Sequence, residues 1–439
     1  MLVFVRNTSV VRERRDDLKD TVILGAGVAG LGAALATGKE RATIYERENR
    51  IGGNCGSFEI DGFTFDTGIH FSFGDDDIVQ YVFGREESSY HIPIPYNFYK
   101  DLWVKHPVQS NLFTLPVELR VRAIKDFVER PRDHNVNSYE DWLMANYGEF
   151  LTREFHDVYT KKYWRRSPSE MTIDWIGQRI KRVDLEEVLL GAMTEKKELE
   201  YYIDQMRYPT SGGFVSYLKS LDSEVDIILD KEAVNINPQR RVVTFSDGEK
   251  VDYSHLFSSI PMPEVLGILD GVPEDVIKAA EDLAYTSVTL VSIGFEVPKV
   301  LDYLWFYVYD EDISASRIYS PSVQASSNAP SGCSSLQLET YFCIKRDLDY
   351  TEDRIRENAF YSMKKLGFPV NAIRCVDVRT LKYANITYTH KIKVARKTIT
   401  DYLESMGINL VGRYGEWKYL WSNQSLVSGY QKAKNVFRD

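Results

Sequence analysis

Short uninterrupted apolar runs and longer periodic stretches alternate along the chain, and each kind predicts its own element. Thr21 to Leu24 is an apolar run of the buried-strand type. A glycine turn follows, then an Ala- and Leu-rich helix to about Thr37, and Ala42 to Glu46 is a second strand. Together they predict a βαβ opening. Ser57 to Asp66 alternates around an Asp61-Gly62 pair, which predicts a hairpin. From about Phe73 to Leu199 the pattern is largely helical, with Pro116 to Glu129 and Ser138 to Phe155 amphipathic. Strands return between Val225 and Val251, and Phe257 to Ile260 is another, ended by Pro261. Ser287 to Val297 and Ser334 to Cys343 read as strands of a second sheet. Helices are predicted over Thr351 to Leu366, Val394 to Glu404 and Ser425 to Val436. No repeat and no Gly/Ser/Pro linker separates these segments, so the structural units are expected to interleave along the chain.

The 439 residues give room for two or three such units. Hydrophobic residues make up 44% and charged residues 27%, a globular composition rather than a disordered one. A net charge of −10 argues against a general nucleic-acid binder, whose phosphate contacts need a basic surface. No apolar run approaches the roughly 18 residues that span a bilayer. The residues through Leu18 are charged and lack a signal-peptide stretch. The reading is a cytoplasmic protein with an N-terminal extension over 1–18. Cys55, Cys333, Cys343 and Cys375 are scattered without a CxxC pair, which predicts neither a disulfide framework nor a zinc or other metal site.

The chemistry begins at the first glycine turn. Gly25, Gly27 and Gly30 form G-A-G-V-A-G between the predicted strand and helix. The first glycine permits the tight turn, the second lets backbone approach a pyrophosphate, and the third allows close helix–strand packing. The helix N-terminus then offers free N–H groups and a positive dipole end to phosphate. Glu46 follows Gly25 by 21 positions, at the end of the second strand, where a carboxylate can hold the adenosine ribose. Strand, glycines, helix, strand and acid fall in order, so a dinucleotide is predicted here. Arg50-Ile51-Gly52-Gly53 continues the turn and would let the chain pass close to an extended FAD.

The run from Glu46 and Arg47 to Ile51-Gly52-Gly53-Asn54 resembles the large flavoprotein class of amine oxidases, protoporphyrinogen oxidases, phytoene desaturases and UDP-galactopyranose mutases. Gly68-Ile69-His70 resembles the segment those enzymes lay beside the isoalloxazine ring. Gly412-Arg413-Tyr414-Gly415-Glu416-Trp417-Lys418-Tyr419 is similar to the Gly-Arg-x-x-x-aromatic-basic-Tyr motif of the mutases. Trp164 resembles their substrate-side tryptophan, Arg179 and Arg317 their diphosphate arginines, and Tyr383 and Tyr419 their diphosphate tyrosines. Tyr208 to Phe214 resembles their Pro-x-x-Gly-Gly segment. The resemblance covers nearly the whole chain, in islands. It implies an α/β fold in which a Rossmann-type, glutathione-reductase-like FAD-binding domain (19–72, 200–265 and 395–439) is interleaved with a substrate region (73–199 and 266–394). That substrate region would be part helical and part mixed sheet. The implied cofactor contacts are Gly25, Gly27, Gly30, Glu46, Arg47, Gly52, Gly53, Asn54, Gly68, His70, Val234, Gly412, Arg413 and Tyr419.

Three departures stand out. Phe73 occupies the place of a second mutase histidine, and Trp421 that of an acidic residue. Trp103 to Pro116 is longer than the mutase counterpart. The resemblance implies a nucleotide-sugar isomerase of cell-surface polysaccharide biosynthesis. In such an enzyme reduced flavin N5 is the nucleophile and His70, Arg179, Arg317, Tyr383 and Tyr419 serve the reaction. Arginine forks and tyrosine hydroxyls suit a diphosphate. An FAD-dependent oxidoreductase taking hydride from an amine, porphyrinogen or polyene stays open beside it, as does a protein that binds FAD without catalysis. NAD(P)H is a candidate reductant, although no second glycine fingerprint is present, and the oligomeric state is left open.

Overall fold

The computed structural model describes residues 19–132, 135–195 and 203–438. The N-terminal extension and the expected boundary at residue 200 lie outside them. Strand Thr21–Leu24, helix Val28–Thr37 and strand Ala42–Tyr45 form as expected, the two strands pairing in parallel. They sit inside a five-stranded parallel sheet. Its order is Ile408–Leu410, His255–Ser258, Thr21–Leu24, Ala42–Tyr45, Ile227–Ile228. Strands far apart in the chain thus share one sheet, and all pairings in it are parallel.

Two helices cover one part of this sheet with their backbones in close contact. A Cβ on Gly32 would meet the Leu426 carbonyl oxygen at 2.4 Å, and one on Gly429 would meet the Ala29 carbonyl oxygen at 1.9 Å. Only glycine permits that approach between Val28–Thr37 and the C-terminal helix Ser422–Val436. Both helices therefore direct their N-termini at the same cavity, where Val28, Ala29, Ser422 and Ser425 are found.

A second sheet of seven strands is antiparallel except where Trp305–Val308 meets Tyr96–Tyr99. Its central strands, Tyr285–Phe295 and Ser334–Phe342, are buried almost throughout. The Asp61-Gly62 hairpin forms, with φ of 50° and 82° at the two turn residues.

The expected helical stretch from Phe73 to Leu199 needs correction. It contains strands Ser88–His91, Tyr96–Tyr99 and Leu102–Lys105. Tyr99 pairs with Leu102 across a two-residue turn in which Lys100 and Asp101 take φ of 48° and 63°. Neither is the glycine or asparagine that signals such a turn. Strand Ile373–Ile386 is a further element beyond those predicted. It is an edge strand with two register shifts against its neighbour, which break the alternation.

The helical layer holds Val117–Glu129 and Tyr139–Leu151, the latter capped by Ser138 with a reciprocal Asp141 contact. A π-helical turn over Thr152–Asp157 carries the chain into Val158–Trp164. Among the described residues no helix is long and apolar enough to cross a membrane.

Candidate functional site

One cavity of about 1260 Å³ runs from the first glycine turn to the face of the second sheet. At its first end the backbone does most of the construction. Gly25 has φ of 97°, which turns the chain from strand to helix. A Cβ on Gly27 would stand clear of all protein atoms, so this backbone faces open cavity. The helix that begins there has no side-chain cap, leaving its first N–H groups to a ligand. Gly52 pairs with Gly27, and Gly53 lines the same wall. The buried Glu46 carboxylate accepts the Ala26 N–H at 2.7 Å and the Glu48 N–H at 2.9 Å, which locks it at the rim. Arg47 is exposed and pairs with Glu264 at 3.1 Å. These residues fit the adenosine and pyrophosphate of FAD: open backbone donors, a helix N-terminus and one fixed carboxylate.

Asn54 lies deeper, donating to the Tyr383 carbonyl at 2.8 Å and to the Tyr414 hydroxyl at 2.7 Å. Gly68 and His70 line the next stretch. The His70 Nδ1 stands 2.8 Å from the Gly68 carbonyl, which can only accept, so Nδ1 carries the proton and Nε2 is left as an acceptor. Burial lowers its pKa to about 4, so the imidazole is neutral near pH 7.

The far end is built from side chains. The helix turns after Thr152 place His156, Tyr159, Thr160, Tyr163 and Trp164 on one face, all lining the cavity. Trp164 packs against Trp175 and Tyr419, with centroids 4.9 and 5.0 Å away. The Tyr163 and Tyr419 hydroxyls are 3.1 Å apart. Burial raises the Tyr159, Tyr163 and Tyr341 phenols well above their ordinary value, so they remain neutral.

Three arginines reach this end. Arg179 donates to the Trp175 carbonyl at 3.2 Å and the Tyr419 carbonyl at 2.6 Å. Its guanidinium lies 4.8 Å from the Tyr419 ring and 4.3 Å from the Trp421 ring. Arg413 donates to Asn385 Oδ1 at 2.9 Å and lies 4.5 Å from the Tyr419 ring. Among the described residues Arg317 alone of the three is ion-paired. Its Nε and Nη2 reach one oxygen of Glu339, at 2.8 and 2.6 Å, because the two residues are directly opposed on neighbouring strands. Burial works against the Arg317 charge, but the Glu339 carboxylate holds its pKa well above the usual value. Glu339 also accepts from the Ile69 N–H and the Tyr341 hydroxyl.

The structure thus brings Trp164, Arg179 and Tyr419 together. Tyr383 lines the same cavity but packs on Tyr285 at 4.6 Å, and its neighbour Lys382 bonds Glu264 of the Arg47 pair. That puts it nearer the dinucleotide end than the diphosphate clamp expected of it. Three expected cofactor residues stay off the lining. A Cβ on Gly30 would meet the Gly25 carbonyl oxygen at 2.0 Å, and one on Gly412 would meet the Ala29 side chain at 2.3 Å, so both serve packing. Val234 is 43% exposed; its strand neighbour Ala233 lines the cavity instead. Residues beyond the expected set include Glu339, Tyr163, Trp175, His106 and His156. Glu339 carries a sequence signal, a lone charge amid the otherwise uncharged Ser334 to Phe342 strand.

Comparison with known proteins gives the fold and the family. A reduced UDP-galactopyranose mutase has the same fold, with a TM-score of 0.90 at 23% identity and 95% of each chain covered. An engineered putrescine oxidase matches at TM-score 0.65 and 13% identity, covering 96% of this chain and 99% of its own. In sequence, a 4,4'-diapophytoene desaturase of Staphylococcus haemolyticus is 48% identical over 48 residues, 10% of either chain. The chain spans about a tenth of the length of the curated relatives it matches. Residues 28–392 match the flavin-containing amine oxidoreductases. The chain belongs to that family of FAD-dependent enzymes.

Proposed function

We propose that this protein is an FAD-dependent isomerase of a nucleotide-linked sugar, acting in the manner of a UDP-galactopyranose mutase. One observation carries the reading. Arg179 and Arg413 line the far end of the cavity, and among the described residues neither has a carboxylate partner. Both are partly withdrawn from water, each with a buried Nε that has no partner, and such a pair of cations favours an anionic ligand. A polyene or an amine offers no such charge.

The residues then divide the work. Backbone carbonyls and two aromatic rings fix the Arg179 guanidinium without neutralising it, so it stays ready for a diphosphate. The Tyr163 and Tyr419 hydroxyls add neutral donors beside it. The Arg317–Glu339 pair holds the Ile69 backbone and so orients the Gly68 to His70 segment. Bound FAD would supply N5, a nucleophile when reduced and a hydride acceptor when oxidised. His70 would face it as a neutral acceptor. The reading assigns 19–72, 200–265 and 395–439 to FAD, and 73–199 and 266–394 to the substrate. It requires the reduced cofactor, with NAD(P)H as reductant, and a cytoplasmic role in building cell-surface polysaccharide.

The desaturase match supports a second reading, hydride transfer from an apolar substrate. A thermal-shift series with UDP, dTDP and GDP sugars, flavin oxidised and reduced, separates the two. Stabilisation by one nucleotide series is expected. No stabilisation by any of them, together with anaerobic bleaching of the oxidised flavin by a polyene or amine, would overturn the isomerase.

A further inference from the structure

Phe73 and Trp421, two of the departures noted in the sequence, are in contact. Their rings meet edge to face with centroids 5.2 Å apart, and both line the cavity. Phe73 follows three residues after His70. Trp421 precedes the C-terminal helix, its N–H held by Gln424 Oε1 at 3.0 Å. The Arg179 guanidinium lies 4.3 Å from the Trp421 ring. Phe73, Trp421 and Arg179 are therefore joined by successive contacts along the cavity wall, which His70 also lines. If the isomerase reading holds, a diphosphate at Arg179 and a flavin at His70 leave the sugar ring against Phe73 and Trp421.

Such a wall selects by chemistry. An aromatic face accepts C–H and methyl groups, and Phe73 offers a hydroxyl no hydrogen bond. A sugar hydroxyl pressed onto the Phe73 ring or the face of the Trp421 ring would lose its water without replacement. Ring contraction of a hexopyranose exchanges the ring oxygen for the C4 hydroxyl and leaves C6 untouched. C6 is thus a position that can be a methyl without disturbing the chemistry.

We propose that Phe73 and Trp421 form the sugar-specificity wall of this site, and that the substrate is a nucleotide-linked 6-deoxyhexose rather than its fully hydroxylated counterpart. Trp421 is also a positioning residue for Arg179, holding the guanidinium by its ring face while leaving the charge free for the diphosphate.

The test is calorimetry on the reduced holoenzyme with UDP, dTDP, and the UDP and dTDP esters of galactopyranose and 6-deoxygalactopyranose. The wild type is expected to bind the 6-deoxy ester about ten- to a hundredfold tighter, the range an apolar pocket achieves against an added hydroxyl. Phe73→His/Trp421→Asp should abolish that preference. Trp421→Asp alone should also weaken free UDP or dTDP by pairing with Arg179, whereas Trp421→Phe should retain it. If the double variant fails to load FAD, Phe73→His alone replaces it and should lose only the sugar preference. Equal affinities for the two sugars in the wild type, or a preference untouched by these changes, would overturn the proposal while leaving the isomerase reading intact. Absence of binding by either nucleotide or any ester would overturn the proposal, and absence of binding by GDP sugars as well would overturn the isomerase reading.

Discussion

The two ends of the cavity are made of different material. The dinucleotide end is mostly backbone: a turn at Gly25, an open strand of peptide at Gly27, an uncapped helix start and one carboxylate, Glu46. The far end is side chains drawn from widely separated segments, with Arg179, Arg317, Arg413, Trp164, His70 and Glu339 meeting across both sheets and the helical layer. A backbone site depends on a few contiguous residues whose conformations are fixed locally. A side-chain site depends on long-range packing, and its charges can be paired off within the protein or left for a ligand. Arg317 is paired with Glu339, whereas Arg179 has no carboxylate partner among the described residues.

That difference is open to direct attack. Arg317→Ala should cost stability more than binding, because it strands Glu339 as a buried charge; a loss of about 3–5 kcal/mol is expected in chemical denaturation. Adding Glu339→Gln should recover much of it, and an undiminished loss in the double variant would show that the ion pair is not the cause. Gly30→Val strikes the backbone end. Its Cβ would fall 2.0 Å from the Gly25 carbonyl oxygen, so about 3 kcal/mol and the bound flavin should both be lost, read as the flavin-to-protein absorbance ratio. Arg179→Ala should leave that ratio unchanged. It should weaken UDP or dTDP by about 10- to 100-fold in calorimetry. Loss of FAD in the same variant would erase the division between the ends.

Acid is expected to act on the stability of the whole molecule, through its buried histidines. Burial lowers the His70 and His156 pKa values to about 4, and the His106 value to about 3, from an ordinary 6.5. Between pH 6.5 and 4 the unfolded chain therefore binds more protons than the folded one, and stability falls as pH falls. Each histidine contributes roughly 1.4 kcal/mol per pH unit in that window. Burial pushes Asp66 up from 3.8 to about 6, which opposes one of them between those values. A melting temperature flat from pH 6.5 to 4 would contradict the neutral, walled-in histidines.

The contrast between the ends also explains what was legible beforehand. Gly25 to Glu46 could be read because each residue acts where it stands in the chain. The Asp61-Gly62 turn was legible for the same reason, whereas the Lys100-Asp101 turn was not, its positive φ values being imposed by the strands it joins. At the far end, residue types suggested an anion site but not which arginine would lack a carboxylate partner. Whether Arg317 meets Glu339, 22 residues on, depends on the register between their two strands. Val234 and Ala233 illustrate the finest limit, since one position of alternation decides which faces the cavity. Tyr383 carries the expected residue type in a strand that the pattern did not reveal.

The contact between Val28–Thr37 and Ser422–Val436 has a consequence for how the molecule is made. Helix Val28–Thr37 is synthesised hundreds of residues before its packing partner Ser422–Val436. Strand Ile408–Leu410, which completes the parallel sheet, arrives almost as late. At about 5–20 residues per second, the βαβ opening waits tens of seconds with its glycine faces uncovered. The close backbone contact between the two helices can therefore form only once Ser422–Val436 has been made.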